Sequence, residues 1–333
     1  MPDHPLLPAL PPLGPDTRAW ALTNGMAGFE VQARGVAEAL DLTLEMKRVH
    51  PGVPYSWLAP WGPAAPDDEV RPPWPDLLIA AGRQAIPYAR MIKRKSKGHS
   101  FVAILQDPKV SPGAFDLVWA PTHDRLTGEN VITTLTSPSR ITRARLEAEK
   151  AQFADSIAPL PRPRIAVLIG GRNKVYDFSI EDADRLGRQL ADLARASGSG
   201  LLITPSRRTG DAQLAAIATH MRDLPHLIWD GRDPNPYFGY LGAADAVLVT
   251  SDSVNMVGEA VATGQPTYVV ELPGGSAKFR RFLDGLYAAG AAKPFRGELE
   301  SFTPQTLNAT DAVAAALRDR YEAHRQRMGD LAA

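Results

Sequence analysis

A short segment near residue 250 combines residue types that could bind a phosphate and a ribose. Ser251, Asp252 and Ser253 follow an apolar run and precede a helical pattern, so three side chains suited to N-capping stand at one helix start. Backbone N–H groups at a helix N-terminus bind anions, and the serine hydroxyls could join them. Asn255 and Glu259 share a helical face, and Glu259 lies about 9 Å along the helix from Ser253. This spacing suits a nucleoside diphosphate whose ribose hydroxyls donate to Glu259, although a capped helix with a solvated glutamate has the same local sequence.

Three further polar loops follow predicted strands in the same half of the chain. The glycine pair Gly170-Gly171 follows one strand, and the N–H groups of such a turn suit a diphosphate. Arg207 and Arg208 follow the next strand, where they could clamp a phosphate or form a solvated turn. Because ligands of parallel sheets bind beyond the carboxyl ends of the strands, four polar loops together favour a nucleotide diphosphate site. The further candidate residues of these loops are Asn173, Lys174, Ser206 and Trp229.

Composition and missing motifs exclude several classes of protein. The chain has 333 residues with 37 basic and 37 acidic side chains, so its net charge does not support a nucleic-acid role. It has no cysteine, and its histidines lack the spacing of metal ligands. Asp182 and Asp184 resemble an acidic metal-binding pair but fall in a predicted first helical turn, where acids are common. We therefore predict no metal site.

The sequence contains neither a P-loop nor the G-x-S-x-G motif of a serine nucleophile. It also contains no pattern of a membrane-spanning segment and none of a signal peptide. The glycine pair lacks the Gly-Lys-Ser/Thr ending of a P-loop, and G-x-S-x-G does not occur, which disfavours a kinase and an α/β-hydrolase. No apolar run approaches the roughly 20 residues that span a bilayer. The proline-rich start does not resemble a signal peptide. A cytoplasmic protein is expected.

Strand and helix patterns alternate along the chain and predict an α/β fold of two Rossmann-like domains facing a cleft. The predicted strands are 18–23, 42–49, 76–82, 100–105, 116–120, 131–135, 165–169, 201–204, 226–229, 246–250 and 267–270. The predicted helices are 30–40, 84–97, 139–153, 180–196, 211–221, 236–243, 254–263, 277–289 and 311–327. We predict an N-terminal domain over residues 1–157, with a loose proline-rich lead-in over 1–16, and a proline-rich linker over 158–164. A C-terminal domain follows over 165–310, and a helix over 311–333 could cross back onto the N-terminal domain.

A basic cluster ends one predicted helix of the first half. It consists of Lys93, Arg94, Lys95 and Lys97, with His99 just beyond. Cations are favourable at a helix C-terminus, which accounts for the cluster without a function. The functional alternative is peripheral contact with anionic lipid head groups.

Several stretches resemble the elongated-mitochondria (mitochondrial fission) family and its bacterial relatives, which are assigned to the GT-B type of glycosyltransferase. They are TNGMAGFEVQ, PTHDRLTGENVI, IGGRNKVY, TPSRRTG, NPYFGYLGAADAVLVTSDSVNMVGEA and TGQPTYVVEL, and the resemblance covers about residues 18–310. It implies that the C-terminal domain binds a nucleotide-sugar donor and the N-terminal domain an acceptor. Glu259 matches the acidic residue that holds the donor ribose in many such enzymes. Many of them also have a loop ending in a catalytic histidine, whose place is taken here by Gly28-Phe29-Glu30.

The resulting prediction is metal-independent transfer of a sugar from a nucleoside diphosphate sugar to an acceptor hydroxyl, with no other cofactor. The acceptor could be a lipid or a cell-envelope component. Candidates for the catalytic base are Glu30, Asp107, His123 and Asp124, and His123 has the most suitable ordinary pKa. A nucleotide-sugar 2-epimerase on the same fold and a non-catalytic membrane-associated adaptor are the alternatives.

Overall fold

The computed structural model describes residues 13–14, 16–232 and 234–332, with side chains through Gly329. Most of the predicted lead-in over residues 1–16 therefore lies outside the described residues. Contacts between Cα atoms divide the chain into two compact units. The N-terminal unit contains the described residues up to Thr142 together with the chain from Ala309 onward, and the C-terminal unit contains Arg143–Asn308.

The N-terminal unit is built on a parallel six-stranded sheet. Its elements up to Thr142 are β1 (Ala19–Thr23), α1 (Ala27–Ala39), β2 (Leu44–Arg48), α2 (Tyr55–Leu58), β3 (Leu77–Ala81), α3 (Ile86–Lys95), β4 (Phe101–Leu105), β5 (Leu117–Pro121) and β6 (Val131–Thr134). The strand order is β2-β1-β3-β4-β5-β6, so the order reverses between β1 and β3. Short 3-10 turns follow β3 and β5, at Arg83–Ala85 and Thr122–Asp124.

Successive strand residues point to opposite sides of a sheet, and the strands β1, β3 and β4 are buried on both sides. In β3, Leu77, Ile79 and Ala81 pack into one apolar cluster, and Leu78 and Ala80 pack into the other. Such strands are continuously apolar, as expected for a parallel sheet covered on both faces. Apolar runs in the sequence therefore indicate where strands lie, and all six strands of this sheet were predicted.

The C-terminal unit contains a second parallel six-stranded sheet with a Rossmann strand order. Its elements are α4 (Arg143–Gln152), α5 (Ala154–Ile157), β7 (Arg164–Ile169), α6 (Ile180–Ser197), β8 (Gly200–Pro205), α7 (Asp211–Thr219), β9 (His226–Ile228), α8 (Tyr237–Ala243), β10 (Ala246–Thr250), α9 (Val254–Ala262), β11 (Thr267–Val270), α10 (Ala277–Ala288) and β12 (Lys293–Pro294). The strand order is β12-β11-β10-β7-β8-β9. The order reverses between β7 and β10, and in such sheets a ligand binds beyond the carboxyl ends of the strands at that point. The expected fold class, two Rossmann-like α/β domains, is confirmed.

Helices α4 and α5, which the sequence analysis assigned to the N-terminal domain, pack within the C-terminal unit instead. The physical reason is a close helix crossing between α4 and α8. A Cβ atom on Gly239 would lie 2.9 Å from the Glu149 carbonyl oxygen, and one on Gly242 would lie 2.5 Å from that of Leu146. The two glycines let the backbones approach, and the boundary therefore falls at Arg143 rather than at residues 158–164.

The start of the helix predicted over 139–153 is also corrected. Ser139 does not cap α4, which begins four residues later in the chain at Arg143. Its N–H donates to the Thr310 hydroxyl oxygen at 2.8 Å, and that hydroxyl donates back to the Ser139 carbonyl at 2.8 Å. Both residues belong to the N-terminal unit.

The last helix, α11 (Ala309–Ala332), completes the N-terminal unit. It packs on α1, and its residues Val313, Ala314, Leu317 and Tyr321 are buried in the cluster that also contains Phe101. The sequence predicts such a return of the C-terminal helix. Its apolar residues recur at helical spacing, which provides the face that packs on the sheet.

Candidate functional site

The carboxyl edge of β7 and β10 is organised by the buried side chain of Asp252, which is 2% exposed. Oxygen Oδ1 accepts a hydrogen bond from the Thr250 hydroxyl at 2.6 Å. Oxygen Oδ2 accepts one from the Gly171 N–H at 3.0 Å, and Nη2 of Arg208 lies 2.8 Å from the same oxygen. The Thr250 hydroxyl oxygen in turn accepts from the Gly170 N–H at 2.7 Å. Asp252 therefore joins the loops after β7, β8 and β10.

The glycine pair is required by this close approach of the loops. A Cβ atom on Gly170 would lie 2.0 Å from Oδ1 of Asp252. One on Gly171 would lie 1.9 Å from the Arg208 carbonyl oxygen. Both distances are far below van der Waals contact, so glycine is needed here for packing.

Asn173 shapes the loop after β7. Its Nδ2 group donates to the Asp252 carbonyl at 3.0 Å, while its Oδ1 accepts from the N–H groups of Val175 and Tyr176 at 2.9 Å each. These bonds fix the turn that carries Lys174. Among the described residues, exposed Lys174 has no ion pair or hydrogen bond.

The two arginines in the loop after β8 have different surroundings. Ser206 and Thr209 close the turn: the Ser206 N–H donates to the Thr209 hydroxyl oxygen at 2.9 Å, and that hydroxyl lies 2.6 Å from the Gly170 carbonyl oxygen. Arg208 is held by Asp252. Arg207 is exposed, and within the described part of the chain its side chain has no partner. Thr209 was missed by the sequence analysis because a threonine in a polar loop carries no distinguishing signal.

The two serines around Asp252 have local partners. The Ser251 hydroxyl oxygen accepts from the Leu272 N–H at 3.0 Å, which ties β10 to the end of β11. Ser253 is the N-cap of α9, and its hydroxyl oxygen accepts from the Met256 N–H at 3.3 Å. The predicted capping is therefore present, with Ser253 as the capping residue.

Glu259, on α9, forms a pair with Tyr237 at the start of α8. The Tyr237 hydroxyl donates to Oε2 of Glu259 at 2.5 Å. Burial raises the pKa of the Glu259 carboxyl, and the hydrogen bond from Tyr237 partly opposes this. Burial and the neighbouring carboxylate raise the pKa of the Tyr237 phenol. Glu259 is thus a part-buried acceptor rather than a solvated surface carboxylate, and Tyr237 is a partner that sequence reasoning missed.

Two other predicted donor residues lie at the margins of this region. Asn255, on the first turn of α9, is exposed. Trp229, after β9, donates from Nε1 to the Arg232 carbonyl at 2.5 Å, which fixes its ring against its own loop. Neither contacts Glu259 through a hydrogen bond among the described residues.

The four candidate bases lie on the N-terminal unit, after strands β1, β4 and β5. Glu30 accepts from Nε of Arg48 at 2.7 Å, and this hydrogen bond lowers the pKa of Glu30. Asp107 accepts from Nζ of Lys109 at 2.6 Å. His123 lies in the 3-10 turn after β5, with Nε2 at 3.5 Å from Oδ1 of Asp124.

Metal-binding clusters and membrane-crossing helices are both absent from the described residues. No group of three or more acidic, histidine or cysteine side chains is arranged to hold a metal ion in the part of the chain that the structure describes. No described helix combines the length and apolar character needed to cross a membrane.

A family model described as mitochondrial fission ELM1 matches residues 27–321. The chain belongs to the mitochondrial fission ELM1 family. The mitochondrial fission protein ELM1 of Arabidopsis thaliana is 31% identical over 271 residues, which cover 73% of this chain and 63% of that protein. The chain thus spans less than two thirds of that family member.

Two further similarities extend the comparison. An uncharacterised protein of Rickettsia prowazekii (strain Madrid E) is 25% identical over 281 residues, covering 73% of this chain and 79% of that protein. Among solved structures, MurG of Acinetobacter baumannii superposes with a TM-score of 0.45 at 15% identity, covering 93% of this chain and 95% of MurG.

Proposed function

We propose that this protein is a glycosyltransferase that moves a sugar from a nucleoside diphosphate sugar to an acceptor hydroxyl. The observation that supports it is the content of the reversal point in the C-terminal sheet. The glycine loop after β7 and the capped N-terminus of α9 after β10 meet there, where Rossmann-type sheets bind nucleotides. The resemblance of the sequence to GT-B enzymes supplies the reaction type.

In this proposal the donor nucleoside binds along α9. Glu259 accepts hydrogen bonds from two ribose hydroxyls, and it lies about 9 Å from the N-cap Ser253 by helix rise. Burial disfavours the charged carboxylate in the free protein, as its raised pKa shows. Hydroxyl donors from a ribose would stabilise the carboxylate, and Tyr237 holds it in place through the bond at 2.5 Å.

The diphosphate would be neutralised by residues that have no partner of their own. Asp252 already places a negative charge beside the N-terminus of α9, and Arg208 balances it at 2.8 Å. Lys174 and Arg207 are the cations of these loops whose side chains have no partner among the described residues. They would stabilise the charge that develops on the leaving diphosphate, together with the helix N-terminus, so the scheme needs no metal ion.

His123 is the preferred base. Arg48 stabilises the charged form of Glu30, which weakens it as a proton acceptor near neutral pH. Asp107 is held by Lys109. An imidazole beside a carboxylate suits general-base catalysis, and Asp124 would orient the ring. If His123→Ala retained full turnover, the assignment would move to Asp107, Asp124 or Glu30.

The acceptor and its location form a finer part of the proposal. We expect a lipid or cell-envelope hydroxyl and a peripheral contact with anionic membrane through the basic end of α3. Arg94, Lys95 and Lys97 are exposed there, while Nζ of Lys93 pairs with Asp116 at 2.9 Å.

The decisive experiment is a thermal-shift panel of UDP-, GDP-, ADP- and CMP-linked compounds with a matched pair of variants. A bound nucleotide raises the unfolding temperature by an amount that grows with the logarithm of its affinity at a fixed concentration. Glu259→Gln should weaken binding by about ten- to a hundredfold, because a hydrogen bond to a charged group contributes about 1.5–3 kcal/mol. Glu181→Gln changes an exposed carboxylate of the same unit and should have no effect.

Three outcomes separate the candidate functions. Stabilisation by a nucleotide sugar with acceptor-dependent release of the nucleoside diphosphate supports a transferase. Epimer formation without any acceptor indicates the 2-epimerase. No stabilisation by any compound in the panel would contradict the donor site and favour the adaptor. The adaptor is worth testing because one relative is named a mitochondrial fission protein.

A further inference from the structure

The segment after β2 displays an unusual concentration of exposed apolar side chains. Trp57 is 73% exposed, Trp61 65%, Val53 62% and Leu58 48%. All four lie within residues 53–61, which we call the aromatic loop. Single exposed apolar residues are normal on a protein surface, but a contiguous group of large ones marks an interaction site.

The aromatic loop is held in place by its backbone, so the exposure of its rings follows from a fixed shape. Ala59 and Pro60, which lie between the two tryptophans in the sequence, are buried. The Arg83 guanidinium donates to the Ser56 carbonyl at 2.8 Å, and that of Arg90 donates to the Trp61 carbonyl at 3.2 Å. The anchored backbone keeps the aromatic side chains at the surface.

The indole N–H of Trp61 is paired within the protein. Nε1 of Trp61 donates to the Lys109 carbonyl at 3.1 Å, which leaves the rest of the indole as an apolar surface. Tight packing between Leu58 and Gly62 keeps the turn closed, since a Cβ atom on Gly62 would lie 2.6 Å from that of Leu58. The loop therefore presents apolar side-chain surface on a closed turn.

Two arginines at the margin of the loop indicate the kind of partner. Residues 53–61 contain no charged side chain, whereas the two side chains that anchor the loop are the exposed arginines Arg83 and Arg90. Neither arginine has an ion pair within the described part of the chain. Tryptophan prefers the head-group level of a bilayer, and cations beside it attract anionic lipids. An apolar centre with two arginines beside it that have no ion pair among the described residues fits an anionic membrane surface.

We infer that the aromatic loop inserts into the head-group region of an anionic membrane. This location differs from the basic end of α3. The loop follows the carboxyl end of β2. Helix α3 begins after the carboxyl end of β3 and runs about 15 Å back toward the amino ends of the strands. Lys95 and Lys97 therefore lie at the edge away from the loop. The inference places the proposed membrane contact at the aromatic loop instead of at the basic end of α3, and it does not depend on the donor site.

The test uses the full chain and vesicles of phosphatidylglycerol mixed with phosphatidylcholine. The wild type should bind these vesicles and bind pure phosphatidylcholine less, and brominated lipids should quench tryptophan fluorescence. Trp57→Ser and Trp61→Ser should each lower the partition coefficient about tenfold, because the free energy of partition scales with the apolar area that is buried. Arg83→Gln/Arg90→Gln should weaken binding most at low salt.

Matched controls separate the contribution of the aromatic loop from that of the other exposed side chains. Ile180→Ser removes a large apolar side chain, 51% exposed, from the C-terminal unit and should bind vesicles as the wild type does. Lys95→Gln/Lys97→Gln removes two of the three exposed cations at the basic end of α3 and should have a smaller effect than the tryptophan changes. The tryptophan variants should keep the thermal shift with nucleotides, which distinguishes loss of the membrane contact from loss of the donor site.

Two results would overturn the inference. One is a wild-type protein that does not bind the anionic vesicles, in which case the loop faces a protein partner. The other is binding that persists in Trp57→Ser/Trp61→Ser but is lost in Lys95→Gln/Lys97→Gln.

Discussion

Replacing Arg208 by alanine tests whether two adjacent arginines have different roles. Arg208→Ala removes the guanidinium that lies 2.8 Å from Oδ2 of Asp252. The Asp252 side chain is completely buried, so its charge would keep only its bonds from Thr250 and Gly171. Arg207→Ala is the matched control, because its side chain has no partner among the described residues.

The expected cost follows from burial. Breaking a buried ion pair costs about 3–5 kcal/mol. The Arg208 side chain is 38% exposed, so water already weakens this pair, and we expect a loss of about 2 kcal/mol in local stability. Arg207→Ala should change stability by less than about 0.5 kcal/mol. It should instead weaken nucleotide binding.

Hydrogen exchange is the suitable assay, since two compact units need not unfold in one step. A local loss of about 2 kcal/mol should accelerate exchange in the peptide containing Gly170 and Gly171 by about 30-fold. Exchange in β3 should not change. In Arg208→Ala/Asp252→Asn the unpaired charge is gone, and much of the protection should return. Equal exchange in Arg207→Ala and Arg208→Ala would refute the assigned role of the ion pair.

Two further predictions concern the N-terminal unit. A Cβ atom on Gly35 would lie 1.9 Å from the Ser139 carbonyl oxygen, so Gly35→Ala should lower the free energy of unfolding by about 1–3 kcal/mol. Gly28→Ala, in the same helix and with open space around it, should raise the free energy of unfolding by up to about 0.5 kcal/mol. Urea unfolding measures the stability of both variants. Equal effects would contradict the close contact at Gly35. Burial raises the pKa of Asp311 to about 6, so the unfolded chain ionises first and stability should fall as pH rises from about 4 to about 6, by on the order of 3 kcal/mol. Asp311→Asn should flatten this part of the profile, and parallel profiles for the two proteins would argue against a shifted Asp311.

The positions of strands and helices followed from local patterns. Strands β10 and β11 and the start of α9 fall where the apolar runs and the serine cap predicted them, because burial on both faces and capping depend on neighbouring residues. Short elements were missed. Lys293–Pro294 pairs with β11 over only two residues, and α2 interrupts what the sequence presented as a loop.

The candidate site was predictable as a set of loops but not as a set of contacts. Residue types and spacing identified Glu259 and the four polar loops, since strand alternation places those loops at one edge of a sheet. Folding alone paired Glu259 with Tyr237, which is separated from it by 22 residues in the chain.

The same division applies to the arginines and the domain boundary. Sequence patterns alone established two Rossmann-like domains and the loops that follow their strands, because periodicity and caps are local properties. The sequence does not distinguish Arg207 from Arg208. In the structure Arg208 pairs with the buried carboxylate of Asp252, and Arg207 is left accessible. The proline-rich segment suggested a linker, yet the approach of α4 to Gly239 and Gly242 moves the boundary to Arg143. These assignments depend on distances between residues far apart in the chain, which packing determines.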